Sequence, residues 1–211
     1  MTWYSQAGTP ELVCQLKYDA KSKSADLTIT QVLPPTPGEA KKKPLHIPIK
    51  LGLLGGNGQD LDLTLASGER LEHGLVEVRK RTEKFRFRDV TSPPVLSLLR
   101  EFSAPVNLTI DRTDAELQFL MANDSDLFNR WQAAQDYATR VLLNSVAESQ
   151  DGKRAAQPKA FIEALALTLA AGDLDPGYRA QFLYLPSESD LARIVGQEVD
   201  PLAIHKARNG L

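Results

Sequence analysis

The feature that most constrains the fold of this chain is a change in the spacing of its apolar residues about halfway along. Through the first half, apolar residues recur at every second position, and the clearest stripe is Leu45, Ile47, Ile49, Leu51 and Leu53. Successive side chains of a strand point to opposite faces, so each stripe predicts a half-buried β-strand. Alternation of this kind favours antiparallel sheets with one face towards water.

Turn-forming residues separate the predicted strands at short intervals. Gly55-Gly56-Asn57-Gly58 supplies the positive φ angles that tight turns need, and the proline- and lysine-rich residues 34–43 predict a longer exposed loop. Seven or eight short strands with such turns predict a β-sandwich. We expect one of these strands at residues 61–65. We expect the last near residues 116–121, where it closes a hairpin with residues 106–110.

Beyond these strands the apolar spacing becomes three and four, which predicts helices. The first stripe predicts a helix of about six turns with Asp124 as its N-cap. It consists of Leu127, Trp131, Ala134, Ala138, Val141 and Ser145. Residues 150–153 are expected to end this helix, and residues 150–157 to form a second flexible loop beside residues 34–43.

Further helix starts follow at short intervals. Asp175-Pro176 and Asp200-Pro201 each pair an N-capping acid with a first-turn proline, while Pro158 and Ser187 mark two more starts. Several short helices in series are typical of a helical array. The sequence therefore predicts a mainly β then α fold, with an antiparallel Ig-like β-sandwich over residues 1–122 and a short α-helical array over residues 123–211.

Histidines are too few and too scattered to predict a metal centre. A catalytic zinc needs about three protein ligands at close spacing, whereas His46, His73 and His205 lie far apart in the sequence, and no His-Glu-x-x-His motif occurs. Surface or structural roles suit isolated histidines better. Cys14 lies on an inward strand face and is interpreted as a small core residue rather than a nucleophile. We therefore predict no catalytic, cofactor-binding or metal-binding residue in this chain.

Charge gives little reason to expect a nucleic-acid or membrane partner. The net charge is −2 and the pI about 6.0, so no global field attracts polyanions. Residues 79–81 and 84–88 mix cations with Phe85 and Phe87, a pattern that can bind single strands, but alternation favours phenylalanines facing the core and cations facing water. Only one cysteine and no apolar run of about 20 residues point to a cytoplasmic protein without a disulfide framework or a membrane span.

Several stretches, taken in order, resemble the bacterial aminopeptidase N family. They cover most of the chain, and the ordered set is more specific than any one of them. These are Trp3-Tyr4-Ser5-Gln6-Ala7-Gly8-Thr9-Pro10, Pro44-Leu45-His46-Ile47-Pro48-Ile49, Glu101-Phe102-Ser103-Ala104-Pro105-Val106, and Phe119-Leu120-Met121 followed by Asn129-Arg130-Trp131-Gln132-Ala133-Ala134-Gln135.

The resemblance implies a parent enzyme, a zinc metallopeptidase of the gluzincin type that removes N-terminal residues from peptides. It places this chain at the family's small β-sandwich and the first helices of its C-terminal domain. The zinc motif and the Gly-x-Met-Glu-Asn loop of the family's catalytic domain do not occur here, so no catalytic residue is carried over. Zinc is implied for the parent enzyme and not for this chain.

From this resemblance we expect an inactive fragment of the enzyme, truncated at Leu211, with Met1 as an added start. The expected partners are the parent's catalytic domain, which the sandwich braces, and the remaining C-terminal helices, which cover the active site. Weak self-association is expected through uncovered apolar residues near the C-terminal end. The competing hypothesis is a stand-alone Ig-like module that binds a ligand on the sandwich surface.

Overall fold

The computed structural model describes residues 2–150 and 157–211. The chain divides into two compact units. The first, here the sandwich unit, comprises Met1–Thr113 and Asn123–Asn129, and the second, the helical unit, comprises Asp114–Ala122 and Arg130–Leu211.

Seven strands form the two sheets of the sandwich unit. They are β1 (Glu11–Asp19), β2 (Ser24–Val32), β3 (Ile47–Leu54), β4 (Leu75–Val78), β5 (Thr82–Phe87), β6 (Val95–Leu98) and β7 (Asn107–Ile110). One sheet has the strand order β5-β2-β1-β7 and the other β4-β3-β6. One continuous core contains buried residues from both sheets, including Leu27, Ile49 and Leu96. The predicted sandwich is therefore confirmed.

Pairing within the sheets is antiparallel except at one edge. The register of β1 on β2 runs from Glu11 opposite Val32 to Asp19 opposite Ser24, whereas β7 lies parallel to β1, with Glu11 opposite Asn107. Parallel neighbours need a crossover connection, and the whole of the second sheet lies between these two strands in the sequence. The sheet is therefore mixed rather than purely antiparallel.

The predicted strand at residues 61–65 is wrong. This stretch makes only isolated bridges, Thr64 with Arg70 and Leu65 with Phe87. The chain turns back immediately, because the N–H of Gly68 donates to the carbonyl of Leu65 at 2.9 Å, and φ of +94° at Gly68 permits that turn. Too few extended residues remain to form a ladder.

In the part of the chain that the structure describes, six α-helices follow the strands in sequence. They are α1 (Asp114–Asn123), α2 (Leu127–Gln150), α3 (Lys159–Ala170), α4 (Pro176–Gln181), α5 (Glu188–Val195) and α6 (Pro201–Gly210). Buried Leu142 and Val146 of α2, Leu191 of α5 and Ile204 of α6 share a core cluster in the helical unit. None of the helices in the described part of the chain is long and apolar enough to cross a membrane.

The last predicted strand, residues 116–121, is a correction, because these residues belong to helix α1. Buried Leu117, Leu120 and Met121 follow helical spacing, and the intervening residues are mostly good helix formers. Asp114 and Glu116 lie in the first turn, where negative charge complements the helix dipole. The apolar residues at 117, 119 and 121 alternate as in a strand, but buried Leu120 does not fit that alternation.

Three of the predicted N-caps are confirmed. The carboxylate of Asp175 accepts from the N–H of Tyr178, that of Asp200 accepts from the N–H groups of Leu202 and Ala203, and the hydroxyl of Ser187 accepts from the N–H of Asp190.

The predicted cap of α2 is wrong by two residues. Asp126 Oδ1 accepts from the N–H of Asn129 at 2.9 Å, so Asp126 caps the helix, while Asp124 is buried elsewhere.

Of the two predicted flexible loops, one has neighbours in the structure and the other lies almost entirely outside the described residues. Within residues 34–43, Glu39 accepts from the N–H of Ala7 at 2.8 Å, and Lys42 Nζ donates to the carbonyl of Ala7 at 2.6 Å. The predicted helix end at residues 150–153 and the predicted loop at residues 150–157 fall mostly on residues 151–156, which the structure does not describe.

Candidate functional site

A cleft of about 980 Å³ opens on the sandwich unit. Its walls come from β3, from the bridged segment at residues 60–63, from residues 70–74, from the turn after β6 and from residues 125–127. Five carboxylates and three cations line it. They are Asp60, Asp62, Glu72, Glu101 and Asp126, with Lys50, Arg70 and Arg100. The cleft is thus rich in charge, with acid in excess.

Arg100 lines this cleft and holds several segments together. Its guanidinium donates to both oxygens of Asp60, at 3.0 and 2.8 Å, and to Asp124 at 3.0 Å. Its Nε donates to the hydroxyl of Ser97 at 2.9 Å. Bidentate Arg–carboxylate bonds are among the strong ones in proteins, and the Arg100 side chain is only 11% exposed.

The Ser97 hydroxyl also accepts a hydrogen bond from the first turn of α2. Asn129 Nδ2 donates to Ser97 Oγ at 2.9 Å and to the carbonyl of Leu98 at 2.8 Å. The Ser125 hydroxyl donates to Asp60 at 2.5 Å. Residues 123–129 are therefore part of the sandwich unit through side-chain bonds to the end of β6 and to Asp60.

The two acids bonded to Arg100 have pKa values shifted in opposite directions. Burial opposes ionisation of Asp60, but the hydrogen bonds from Arg100 and Ser125 outweigh it and lower the pKa of Asp60. For fully buried Asp124, burial outweighs the Ser97 hydroxyl and the Arg100 charge, so the pKa is raised. Burial would lower the pKa of Arg100, yet Asp60 and Asp124 raise it. Arg100 therefore stays charged, and Asp124 is its more readily protonated partner.

Gly52 makes room for the buried guanidinium. It lies inside β3, and a Cβ there would come within 2.2 Å of Arg100 Cζ. Glycine within a strand commonly marks such a close approach.

The turn after β6 has a strained backbone and an exposed aromatic ring. Leu99, Glu101 and Phe102 all have positive φ, at +60°, +54° and +54°, a conformation that costs non-glycine residues free energy. The N–H of Glu101 donates to Asp126 Oδ2 at 2.9 Å, which fixes the turn. Phe102 is 70% exposed, and its ring centroid lies 4.4 Å from that of Phe128.

The structure places the three histidines in unrelated surroundings. His46 Nε2 lies 3.2 Å from Glu77, His73 lines the cleft, and His205 Nδ1 lies 2.7 Å from Glu188 on the helical unit. Across residues 2–150 and 157–211, no group of three or more His, Cys, Asp or Glu side chains is placed to hold a metal. The described residues do not fit a zinc centre, and we assign them no metal chemistry.

Cys14 lies in the sandwich core, as its strand position predicts. Burial raises the pKa of its thiol to about 12, despite the opposing charge of Arg112. At neutral pH the thiol stays protonated, and the thiolate that nucleophilic chemistry requires does not form.

The basic residues near β5 are largely engaged in contacts of their own. Arg79 pairs with Glu77, Arg86 with Asp26 at 2.8 Å, and Arg81 donates to the carbonyl of Lys42 at 2.9 Å. Phe87 is buried and Phe85 packs against the core. This arrangement agrees with the core-and-surface interpretation, and the absence of a nucleic-acid partner stays a prediction.

Sequence reasoning missed the cleft and its Arg100 network. The residues involved are separated by up to about 75 positions, and none belongs to a motif that predicts a site. The one local signal is a charged Arg100 two residues after the end of the apolar strand β6, since a cation that becomes buried needs a carboxylate partner.

Comparison with family models assigns both parts of the chain. Residues 8–111 match "Domain of unknown function (DUF3458) Ig-like fold", and residues 114–211 match "Domain of unknown function (DUF3458_C) ARM repeats". These matches confirm the predicted order of an Ig-like sandwich followed along the chain by a helical array.

Curated relatives share one description. The chain is 35% identical to aminopeptidase N of Escherichia coli (strain K12) and 40% identical to aminopeptidase N of Caulobacter vibrioides, in each case over 209 residues and 99% of this chain. It spans 24% and 23% of those relatives, about a quarter of their length.

A solved structure gives the same match in three dimensions. Legionella pneumophila aminopeptidase A, crystallised in complex with aspartic acid, aligns with a TM-score of 0.75 and 26% identity over 99% of this chain and 22% of that protein.

Proposed function

The chain belongs to the bacterial aminopeptidase N family, and on this premise we propose that it is a non-catalytic part of a zinc-dependent aminopeptidase. The observation that carries the proposal is the 40% identity over 99% of the chain to a protein of which the chain spans only 23%. The parent enzyme removes N-terminal residues from peptides, and this chain supplies none of its metal ligands.

Within that enzyme, the sandwich unit braces the catalytic domain and the helices contribute to the domain that covers the active site. Two features support a bracing role for the sandwich. Its core is continuous across both sheets, and the bonds from Arg100 to Asp124 and from Asn129 to the Leu98 carbonyl fix residues 123–129 against the end of β6. A rigid element suits a spacer better than a mobile one. We propose a cytoplasmic location, which suits a chain whose single cysteine is buried and unpaired.

The competing function is a stand-alone Ig-like binding module, and the cleft of about 980 Å³ favours it. The two functions differ in what the complete gene encodes. An upstream His-Glu-x-x-His in the same reading frame supports the aminopeptidase, and a gene without it supports the module.

The proposal predicts that the purified chain neither binds zinc stoichiometrically nor hydrolyses an aminoacyl chromogenic substrate. Elemental analysis after dialysis against zinc measures the first quantity, and release of the chromophore measures the second. The polypeptide encoded by the complete gene is the positive control and should lose activity on chelation. Chelator-sensitive turnover by the 211-residue chain alone would contradict the proposal.

A further inference from the structure

The cleft on the sandwich unit holds acid that its own cations do not neutralise. Lys50 pairs with Glu101, Arg70 with Asp62 at 2.6 Å, and Arg100 with Asp60. Two of the five lining carboxylates remain outside these pairs.

These two are Glu72 and Asp126, and neither makes a direct ion pair with any residue that the structure describes. Asp126 accepts only backbone N–H groups, from Glu101 and Asn129. The charge of Arg100 acts on Asp126 only from a distance. An entering basic group would therefore find two carboxylates that are not held in a direct ion pair.

Phe102 and Phe128 directly follow the lining residues Glu101 and Leu127 in the chain, and their rings contact each other. We call this ring pair the aromatic rim of the cleft. Phe102 is 70% exposed, although its turn is fixed by a hydrogen bond to Asp126. A large exposed ring on a fixed backbone loses little conformational freedom on binding, and aromatic anchors of this kind dominate binding energy at protein interfaces. Cleft and rim together offer an acidic recess beside an apolar contact.

A polypeptide large enough to cover this surface is implied by the comparisons. More than three quarters of the length of each aminopeptidase relative lies outside the matched region. A segment in the same polypeptide meets the surface at high effective concentration, so a small contact suffices.

We propose that the cleft and its aromatic rim are the docking surface for a basic segment of the remaining aminopeptidase polypeptide. A lysine or arginine of that segment enters the cleft towards Glu72 and Asp126, and an apolar side chain packs on Phe102. The inference rests on the proposed function, since it takes the rest of the enzyme as the occupant.

Thiol labelling tests whether the rim is covered. A Phe102→Cys variant is prepared in the 211-residue chain and in the polypeptide encoded by the complete gene, and its reaction with a maleimide is followed by peptide mapping. Cys14 stays silent because it is buried and the pKa of its thiol is about 12. We expect labelling at position 102 to be at least tenfold slower in the complete polypeptide. Val32→Cys, at a 41% exposed position outside the cleft, is the matched control and should label at similar rates in both.

Carbodiimide cross-linking tests the charge of the occupant. In the complete polypeptide we expect bonds from Glu72 or Asp126 to a lysine outside residues 1–211. The Lys50–Glu101 pair provides an internal cross-link in both polypeptides. Adding Glu72→Lys to the Phe102→Cys variant should abolish the bond from position 72 and speed the labelling at position 102 at least threefold.

Two separate results decide the two proposals. A complete polypeptide without aminopeptidase activity, or a gene that encodes nothing beyond this chain, rejects the proposed function and removes the occupant with it. Equal labelling at position 102 in the chain and in an active complete enzyme rejects the docking surface alone.

Discussion

Arg100 is the residue on which the sandwich unit depends most at its cleft. It is charged, nearly buried, and bonded to Asp60, Asp124 and Ser97. Removing one member of a buried ion pair leaves the other charge uncompensated, which costs far more than losing an exposed pair. Such a network could not be predicted from sequence, since its members become neighbours only after both sheets have formed.

Substituting Arg100 with Leu should lower the free energy of unfolding by about 3–5 kcal/mol, because Asp124 then lies buried without its cation. Arg70→Leu is the matched control. Its ion pair with Asp62 is 70% and 80% exposed, so the cost should stay below about 1 kcal/mol. Urea unfolding of both variants measures the difference, and adding Asp124→Asn to Arg100→Leu should recover part of the loss. Equal costs for the two arginines would contradict this account.

The raised pKa of Asp124 should make stability depend on pH above 3.8. The folded state takes up a proton at Asp124 at a higher pH than the unfolded chain does. The stability contributed by that proton is present at low pH and is lost as pH rises through the raised pKa. The stability of the wild type relative to Asp124→Asn should therefore increase as pH is lowered towards 3.8.

Asp60 acts in the opposite sense but in a different pH range. Because its pKa is lowered from 3.8, its contribution is lost only as pH falls below that value. Urea unfolding at several pH values above 3.8 isolates the effect of Asp124. A constant difference between wild type and Asp124→Asn would show that the carboxyl does not titrate there.

At the scale of single elements, sequence patterns succeeded where a complete local signal was present. The stripe from Leu45 to Leu53 predicts most of β3, and the acid–proline pairs predict the starts of α4 and α6. They failed where the signal was partial. Alternation at residues 117–121 fits a strand as well as a helix, and Asp124 resembles an N-cap in sequence although the Arg100 network requires it elsewhere.

Gly74 shows how tightly one element can constrain another. Its φ is +67°, and a Cβ there would lie 2.1 Å from the carbonyl oxygen of Leu51 in β3. Gly74→Ala should therefore cost at least about 3 kcal/mol, from backbone strain together with the clash. Gly68→Ala is the control, because φ is +94° there but nothing lies within 4 Å of the added carbon, so only the backbone strain of about 1–3 kcal/mol applies. Thermal unfolding of both variants checks the order, and an equal loss would mean that the strand moves to accept the methyl group.

At the scale of the whole molecule, the period change predicts the order of sandwich and helices, because hydrophobic periodicity is a property of every residue in each half. The division after residue 122 stays a prediction. The two compact units alternate along the sequence here, because residues 114–122 belong to the helical unit and residues 123–129 to the sandwich unit. Long-range bonds, such as that from Asn129 to Ser97, decide which unit a segment joins. No local pattern contains that information.

Large apolar side chains remain exposed on the helical unit and predict weak self-association of the chain. Leu167 is 71% exposed, Tyr184 68%, Leu202 59% and Ile194 57%. The double variant Ile194→Ser with Leu202→Ser should shift the association to severalfold higher concentrations, as measured by sedimentation velocity. Val13→Ser, at a 40% exposed position on β1, should leave the association unchanged. A wild-type chain that is monomeric at all concentrations would contradict the prediction.

The parallel pairing of β1 with β7 has a consequence for the order in which the protein is made. Glu11 in β1 pairs with Asn107 in β7, so one edge of β1 stays unpaired until β7 has been synthesised. At a synthesis rate of about 5–20 residues per second, that edge stays unpaired on the ribosome for roughly 5–20 s. During this interval the nascent sandwich exposes a free strand edge to other chains. Slower translation of residues 20–106 would lengthen the interval during which this edge can pair with another chain.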